Sequence, residues 1–374
     1  MIVSLLVFLG AFFAIINNKS RYVYAYLIVL LWIISSFTYG NADEGVYLSR
    51  YNNVEMWKGD TELLYYQLIR FCNKINLSFF QFKMLSTAIQ LSLISSTILK
   101  YSKRPNLVIL FYFIFPFMMN VAQMRDALAM SVFIFGARFL IDDKNQNTLV
   151  EDKKITSNDL KYIACIIIAA FIHTSAIYWL LLLLAKKFNE KKVIVLTIII
   201  SLLIAFVNPT TIGNFLSAFG TSTRIKAYTT EAYLETRLLH MNIALFRSAM
   251  FTVINFIFIY YLSTQEKINS EILFLLKSNT ILITVLPLIY FYTPEMYRSQ
   301  VDTSLLIYII GSNRLSDARD GRNNLTIPLN NFIIAFSLIT LSLFNMYFYI
   351  VRGNYESVFY PIFNNNLFFN SLLE

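Results

Sequence analysis

Long apolar runs, broken by short charged connections, dominate the hydrophobic pattern of the chain. A membrane-spanning helix needs about 20 mainly apolar residues to cross the hydrocarbon of a bilayer. Runs near that length cover about 1–17, 22–39, 79–99, 106–122, 126–141, 160–185, 192–208, 242–263, 272–293, 300–313 and 327–351. The pattern predicts an all-α, polytopic integral membrane protein with about ten to twelve transmembrane helices. Since no polar linker divides these runs, we expect one transmembrane domain over residues 1–374.

Basic residues in the connections predict which ends of the spans face the cytoplasm. With the N-terminus outside, Lys19 and Arg21 lie in the first cytoplasmic loop, and the longer polar segments 40–78 and 209–240 lie outside. The run 160–185 breaks this alternation, because both of its flanks are strongly basic. The basic residues are Lys144, Lys153, Lys154 and Lys161 before or at the start of the run, and Lys186, Lys187, Lys191 and Lys192 after it. We therefore predict that 160–185 enters and returns as a bent or re-entrant segment turning near His173.

The composition supports a membrane protein and excludes several other classes. Hydrophobic residues make up 57% of the chain and charged residues 14%, against about 25% charged in soluble domains. The net charge of +9 is spread over short connections and forms no basic face, so we expect membrane lipids as partners and no nucleic acid. Cys72 and Cys165 are the only cysteines, which supports neither a disulfide framework nor a zinc cluster. The first run lacks preceding basic residues and is expected to be a retained span.

The polar segment 40–78 places acids beside aromatic residues. Asp43, Tyr47 and Tyr51 are spaced by four, which puts them on one face if the segment is helical. Glu62 follows further along. Carboxylates and phenols can bind sugar hydroxyls, and aromatic rings can pack on sugar C–H faces. The alternative interpretation of the tyrosines is an interfacial helix in an aromatic belt.

Arg125 lies between two apolar runs, in the segment Gln123-Met124-Arg125-Asp126. Burying a lone guanidinium at the membrane edge costs about 2.5 kcal/mol or more, so Arg125 is expected to have an anionic partner. That partner is either an internal carboxylate, from Asp126 or Asp43, or a bound phosphate, which suits the planar fork of arginine.

Further arginines fall at predicted membrane edges. Arg247 lies early in the run 242–263, and Arg298 lies between two spans. Arg224 belongs to a polar loop, 220–228, that could close over a substrate or could simply be solvated. Arg125, Arg247 and Arg298 together exceed what topology requires. A lipid-linked pyrophosphate would account for them.

His173 lies inside an apolar run, at the predicted bend. Its unperturbed pKa of about 6.5 suits proton transfer at neutral pH, although an isolated histidine between apolar residues can equally be a structural hydrogen-bond donor. His240, the other histidine, lies near the end of a polar segment. Two separated histidines without an acidic cluster predict no metal site and no cofactor.

These motifs together resemble a known family. An Asp followed by Tyr four and eight residues later, a Gln-x-Arg-x-x-Leu-Ala turn at Gln123, and a Phe-x-His-x-Ser bend at His173 occur in the order found in the EpsG family of Wzy-like polysaccharide polymerases. The resemblance extends over most of the chain. Asp126 departs from the pattern, because an amide is expected after the arginine. The second half matches less distinctly, so Arg224, Arg247 and Arg298 depend on the physical argument.

The resemblance implies a GT-C-like enzyme of the bacterial cytoplasmic membrane. It would polymerise oligosaccharide repeat units carried on undecaprenyl pyrophosphate into capsular or exopolysaccharide, at the outer face and without a metal. Arg125, Arg247, Arg298 and Arg224 would bind pyrophosphate, and Tyr47, Tyr51, Glu62 and Gln123 would bind sugar. Asp43 and His173 are the candidate bases. Other polysaccharide export or assembly proteins are possible partners.

Two other functions fit the same features. A transporter or flippase of lipid-linked sugars could also use arginines in a wet cavity, although such proteins often contain internal repeats that are not evident here. A lipid-linked glycan ligase or transferase of related architecture is the second alternative.

Overall fold

A computed structural model of the protein describes residues 2–58, 62–141, 155–207, 231–265, 270–315 and 326–371. The α-helices, in chain order, are α1 (Ile2–Ile16), α2 (Arg21–Phe37), α3 (Glu44–Asn52), α4 (Leu63–Lys74), α5 (Phe79–Tyr101), α6 (Pro105–Tyr112), α7 (Met118–Ala122), α8 (Met124–Ile141), α9 (Ser157–Ile172), α10 (Leu182–Lys187), α11 (Glu190–Phe206), α12 (Glu231–Gln265), α13 (Ser270–Ile281), α14 (Val285–Phe291), α15 (Arg298–Val301), α16 (Ser304–Ser312), α17 (Thr326–Met346), α18 (Arg352–Asn354), α19 (Tyr360–Asn364) and α20 (Leu367–Asn370). Shorter 3₁₀ segments cover Val54–Trp57, Thr174–Leu181, Leu282–Thr284 and Pro294–Tyr297, and π-helical segments cover Phe113–Phe117, Tyr347–Val351 and Tyr355–Phe359. No strand occurs within the described ranges.

The prediction of an all-α polytopic membrane protein is confirmed. Among the described residues, five helical stretches are long and apolar enough to cross a membrane. They are Phe79–Tyr101, Pro105–Ala122, Met241–Thr264, Ser270–Phe291 and Leu329–Asn364. Two shorter apolar helices, α1 and α2, coincide with the first two predicted runs. The protein is therefore a multi-pass membrane protein, while the sides on which its loops lie stay predictions.

The chain forms two compact units. The first comprises Met1–Met56, Gln67–Phe135 and Ser304–Glu374, and the second comprises Trp57–Tyr66 and Gly136–Thr303. The predicted single transmembrane domain over 1–374 stays a prediction.

In the first unit, α2 lies along α5. The Trp32 indole donates to the backbone oxygen of Met84 at 3.0 Å, and the hydroxyls of Ser35 and Thr87 are 3.0 Å apart. These hydrogen bonds satisfy polar side-chain groups that would otherwise have no partner in hydrocarbon. They hold the end of α2 against the start of α5, which is where the candidate site of this unit lies.

The helix α16 explains why the predicted run 300–313 is short. Every residue from Ser304 to Ser312 is buried, and the helix packs against α6. A helix enclosed by protein need not match the thickness of the bilayer, because neighbouring segments satisfy its ends. The greater part of the run, Ser304–Ser312, is thus a core helix of the first unit.

In the second unit, the run 160–185 folds back on itself at His173. The helix α9 ends at Ile172, His173 is extended, and the chain returns through the 3₁₀ segment Thr174–Leu181 and α10. The Tyr162 hydroxyl donates to the backbone oxygen of Trp179 at 2.6 Å, and Lys186 Nζ lies 2.7 Å from Asp159 Oδ1. In a continuous helix, residues 159 and 186 would be about 40 Å apart. The predicted bent segment is confirmed.

Asp159 joins the two ends of this hairpin. Its buried carboxylate forms ion pairs with Lys186 and Lys187 and accepts the Thr156 backbone N–H, as part of a capping box. Because a buried ion pair that loses one partner leaves an uncompensated charge, Asp159→Ala is expected to lower the free energy of unfolding by about 3–5 kcal/mol. Denaturant unfolding in detergent measures this value.

Two variants test the origin of that loss. Asp159→Asn can keep the capping acceptor and removes the charge, so it should lose most of the same free energy. Glu190→Ala removes an exposed first-turn carboxylate from α11 and should change stability by about 0.5 kcal/mol or less. Equal stability of the Asp159→Ala and Glu190→Ala proteins would contradict the role of the ion pairs.

Candidate functional site

A buried ion pair fixes the start of the segment 40–78 in the first unit. Lys83, inside the transmembrane helix α5, lies 3.0 Å from Glu44 Oε1 and also donates to the backbone oxygen of Thr38. Glu44 Oε2 accepts the backbone N–H of Gly40, whose φ of +76° suits glycine. The ammonium and carboxylate thus join the end of α2, the following turn and the first residue of α3.

Asp43 lies beside this ion pair, at the N-cap position of α3. Its side chain is half-buried and makes no capping hydrogen bond. The preceding residue, Ala42, donates its backbone N–H to the backbone oxygen of Ser357 at 2.9 Å. Contacts of Ala42 on one side and of Glu44 on the other therefore fix the backbone that carries the Asp43 carboxylate. Its role as a base stays a prediction.

Arg125 and Tyr47 contact each other, a pairing that the sequence analysis did not predict. Both are buried, with Arg125 8% and Tyr47 6% exposed. Arg125 Nε donates to the Tyr47 hydroxyl at 3.4 Å, and its guanidinium carbon lies 5.6 Å from the centre of the Tyr47 ring, within cation–π range. The phenol face thus orients the guanidinium.

Arg125 is also the second residue of α8. The helix begins at Met124, directly after Gln123, which ends α7 and whose carbonyl accepts the Ala127 N–H at 2.9 Å. Unsatisfied backbone N–H groups and the helix dipole favour anions at this end of a helix. Gln123, Arg125 and Asp126 lie at this start of α8, where the basic Arg125 and the acidic Asp126 are both buried and Gln123 is half-buried.

Tyr51 continues the predicted face but has its own structural contacts. Its hydroxyl donates to the backbone oxygen of Leu77 at 2.7 Å, and its ring packs on Phe82 with centroids 5.2 Å apart. Burial, with a smaller contribution from Cys72, raises the pKa of Tyr51 to about 12. Burial therefore favours the neutral form of this phenol. Its predicted sugar contact stays a prediction.

The second unit brings His173 and Glu62 together. His173 Nδ1 lies 2.7 Å from Glu62 Oε1, and the Glu62 side chain is 6% exposed while that of His173 is 17% exposed. Glu62 lies one residue before α4, and its backbone oxygen accepts the Tyr66 N–H at 2.9 Å. His173 lies at the turn of the hairpin, where its backbone is extended.

This geometry is suited to proton transfer. A carboxylate beside Nδ1 favours the tautomer that keeps a proton on Nδ1, and it stabilises the imidazolium that forms when Nε2 takes a proton. Nε2 is then the basic nitrogen.

Arg247 and Arg298 also belong to the second unit, and both are half-buried. Arg247 lies on α12, and Arg298 is the first residue of α15. The Trp179 indole, from the returning arm of the hairpin, donates to the backbone oxygen of Ser299 at 3.3 Å. The segment that bears Arg298 is therefore connected to the segment that follows His173. Arg224 lies outside the described residues.

The structure thus groups the predicted residues into two sets, one in each unit. Asp43, Tyr47, Arg125 and Gln123 belong to the first, and Glu62, His173, Arg247 and Arg298 belong to the second. Sequence reasoning missed the pairing of Glu44 with Lys83, although a lysine four residues into an apolar helix was a signal that a buried acid must compensate it. It also assigned Glu62 to sugar binding without placing it beside His173.

In the described part of the chain, no group of three or more His, Cys, Asp or Glu residues could hold a metal ion. The predicted absence of a metal requirement stays a prediction.

Comparison with known protein families gives a match over most of the chain. The model of a family described as the EpsG family matches residues 21–329, which is most of the chain. No curated protein and no solved structure matches. The GT-C-like architecture therefore stays a prediction.

Proposed function

Because the chain belongs to the EpsG family, which implies a polysaccharide-polymerase-like function, we propose that it polymerises oligosaccharide repeat units carried on undecaprenyl pyrophosphate. The product would be a capsular polysaccharide or exopolysaccharide, made at the outer face of the bacterial cytoplasmic membrane. The observation that supports this most is the Glu62–His173 pair at the turn of the hairpin 157–187.

In the proposed reaction, a sugar hydroxyl of one lipid-linked unit attacks the anomeric carbon of the growing glycan. The new C–O bond forms as the bond from the anomeric carbon to the pyrophosphate oxygen breaks, and undecaprenyl pyrophosphate leaves with the electron pair. His173 Nε2 takes the hydroxyl proton, and Glu62 stabilises the resulting imidazolium. Asp43 is the second candidate base.

The leaving pyrophosphate gains negative charge in the transition state, so fixed positive charge should stabilise it. Arg125 supplies such a charge at the start of α8, where helix dipole and guanidinium favour the same anion. Arg247 and Arg298 are the candidates for such a charge in the second unit. Since arginine stays protonated at any physiological pH, these groups could replace a metal ion in this role.

The alternatives predict different products. Purified protein in vesicles is given one defined lipid-linked repeat unit without added metal. Longer glycans together with free undecaprenyl pyrophosphate support a polymerase. Exchange of the lipid across the vesicle without new linkages would identify a flippase, and transfer to a different acceptor would identify a ligase. Either of these two results contradicts the proposal.

A further inference from the structure

A buried amide network in the second unit surrounds Gln300. Gln300 and Ser248 are both fully buried. Gln300 Oε1 accepts the Ser248 hydroxyl at 2.5 Å, while Nε2 donates to Thr252 Oγ1 at 3.1 Å and to the backbone oxygen of Leu282 at 2.9 Å. The carbonyl of Leu282 can only accept, so the orientation of the amide is determined. Both N–H groups and the oxygen of this side chain are used.

The partners of Gln300 lie on separate segments. Ser248 and Thr252 are on α12, where Ser248 directly follows Arg247, and Leu282 begins the 3₁₀ segment after α13. Gln300 itself is two residues from Arg298 on the four-residue helix α15. A helix this short has almost no stability of its own, so its position depends on side-chain contacts.

The neighbour of Gln300 gives α15 a second connection. The backbone oxygen of Ser299 accepts the Trp179 indole at 3.3 Å, and both residues are buried. Through these two adjacent residues, α15 is bonded both to the helix of Arg247 and to the hairpin arm that follows His173. Three segments with predicted site residues therefore meet at Ser299 and Gln300.

We propose that Gln300 is a positioning residue, which fixes Arg298 and Arg247 relative to each other so that both can contact one pyrophosphate. The inference rests on the proposed function, because it assigns the two arginines to the leaving group. Gln300 itself touches no substrate and acts through α15. Misplacement of a binding group by about 1 Å can lower a rate about 100-fold, so a short helix with an arginine at its start needs such a bond.

A double-mutant cycle tests this role. Gln300→Met removes all three hydrogen bonds at similar volume and is expected to lower kcat about 10- to 100-fold per folded protein, with little change in KM. Arg298→Ala should lower it as well. If Gln300 acts through Arg298, the double variant should be no slower than Arg298→Ala, because residues in one network are not additive.

The matched control is Asn255→Leu. Asn255 is a buried amide on α12, two turns after Ser248, and in the described part of the chain its side-chain atoms have no hydrogen-bond partner. Its replacement is expected to leave kcat unchanged. Thermal unfolding of each protein separates a loss of folding from a loss of rate. Should Gln300→Met fail to fold, Ser248→Ala removes one of the three bonds and serves in its place.

The affinity for undecaprenyl pyrophosphate is measured for the same four proteins of the cycle, because binding needs no turnover. Wild-type kcat in the Gln300→Met protein, or losses that multiply in the double variant, would overturn the positioning role. If the wild-type protein forms no polymer, the proposed function fails. The binding cycle then decides the positioning role by itself: non-additive losses of affinity support it, and independent losses overturn it.

Discussion

Replacement of His173 by alanine is expected to lower the rate of polymerisation about 10²- to 10⁴-fold, the usual contribution of a positioned general base. Nε2 would no longer take the proton of the acceptor hydroxyl. The rate should be measured with a defined lipid-linked repeat unit, on protein whose folded amount is matched to the wild type. The acid limb of the pH–rate profile should disappear in the same variant, because it reports the protonation of this base.

Two further variants make the result specific. Glu62→Gln keeps a hydrogen-bond acceptor near Nδ1 but removes the charge that stabilises the imidazolium, so its rate should lie between those of the wild type and His173→Ala. His240→Ala removes the only other histidine and should leave the rate unchanged. Full polymer length from His173→Ala protein at normal expression would exclude His173 as the base and would leave Asp43.

Replacement of Arg125 by alanine is expected to lower kcat about 10²- to 10³-fold, as the loss of one preorganised charge or donor does in other enzymes. The reason is that Arg125 lies at the start of α8, oriented by the Tyr47 phenol, where it can stabilise the charge of the leaving pyrophosphate. The release of undecaprenyl pyrophosphate in single turnover measures this step directly.

The geometry of the guanidinium should matter as well as its charge. Arg125→Lys keeps the charge but loses the planar fork, and we expect it to restore only part of the rate. Arg70→Ala, which removes an exposed arginine of the same unit, should behave as the wild type. An Arg125→Ala protein with normal kcat and a raised KM would mean that Arg125 binds the substrate and the transition state equally.

The hairpin that bears His173 illustrates why a break in a membrane helix is informative. A helix that ends inside an apolar run leaves backbone groups without partners unless protein or water satisfies them. Here the Ile172 end is followed by an extended residue and a 3₁₀ return, and the Tyr162 hydroxyl satisfies the Trp179 carbonyl. The imidazole at the turn is therefore held by contacts with the surrounding protein, among them the Glu62 carboxylate at 2.7 Å.

Local patterns were sufficient to predict the all-α class and the bend at His173. Hydropathy predicted the helical runs because the cost of unsatisfied backbone in lipid forces each apolar run into a helix. The charges on both flanks of 160–185 predicted the return at His173, since each flank independently favours the cytoplasm. The same local spacing placed Tyr47 and Tyr51 on one helical face.

The pairing of polar groups required the tertiary structure. Glu62 and His173 are 111 residues apart, and Glu44 and Lys83 are 39 apart. From the sequence one can infer that a buried charge or imidazole needs a partner. Many acids and amides could be that partner, and how the helices pack decides which of them it is. The sequence by itself thus determined that the protein is helical, membrane-embedded and bent at His173, because solvation acts on each segment separately. Only the tertiary structure decided that Glu62 faces that histidine and that Gln300 holds the helix of Arg298, because such contacts form between segments that are remote along the chain.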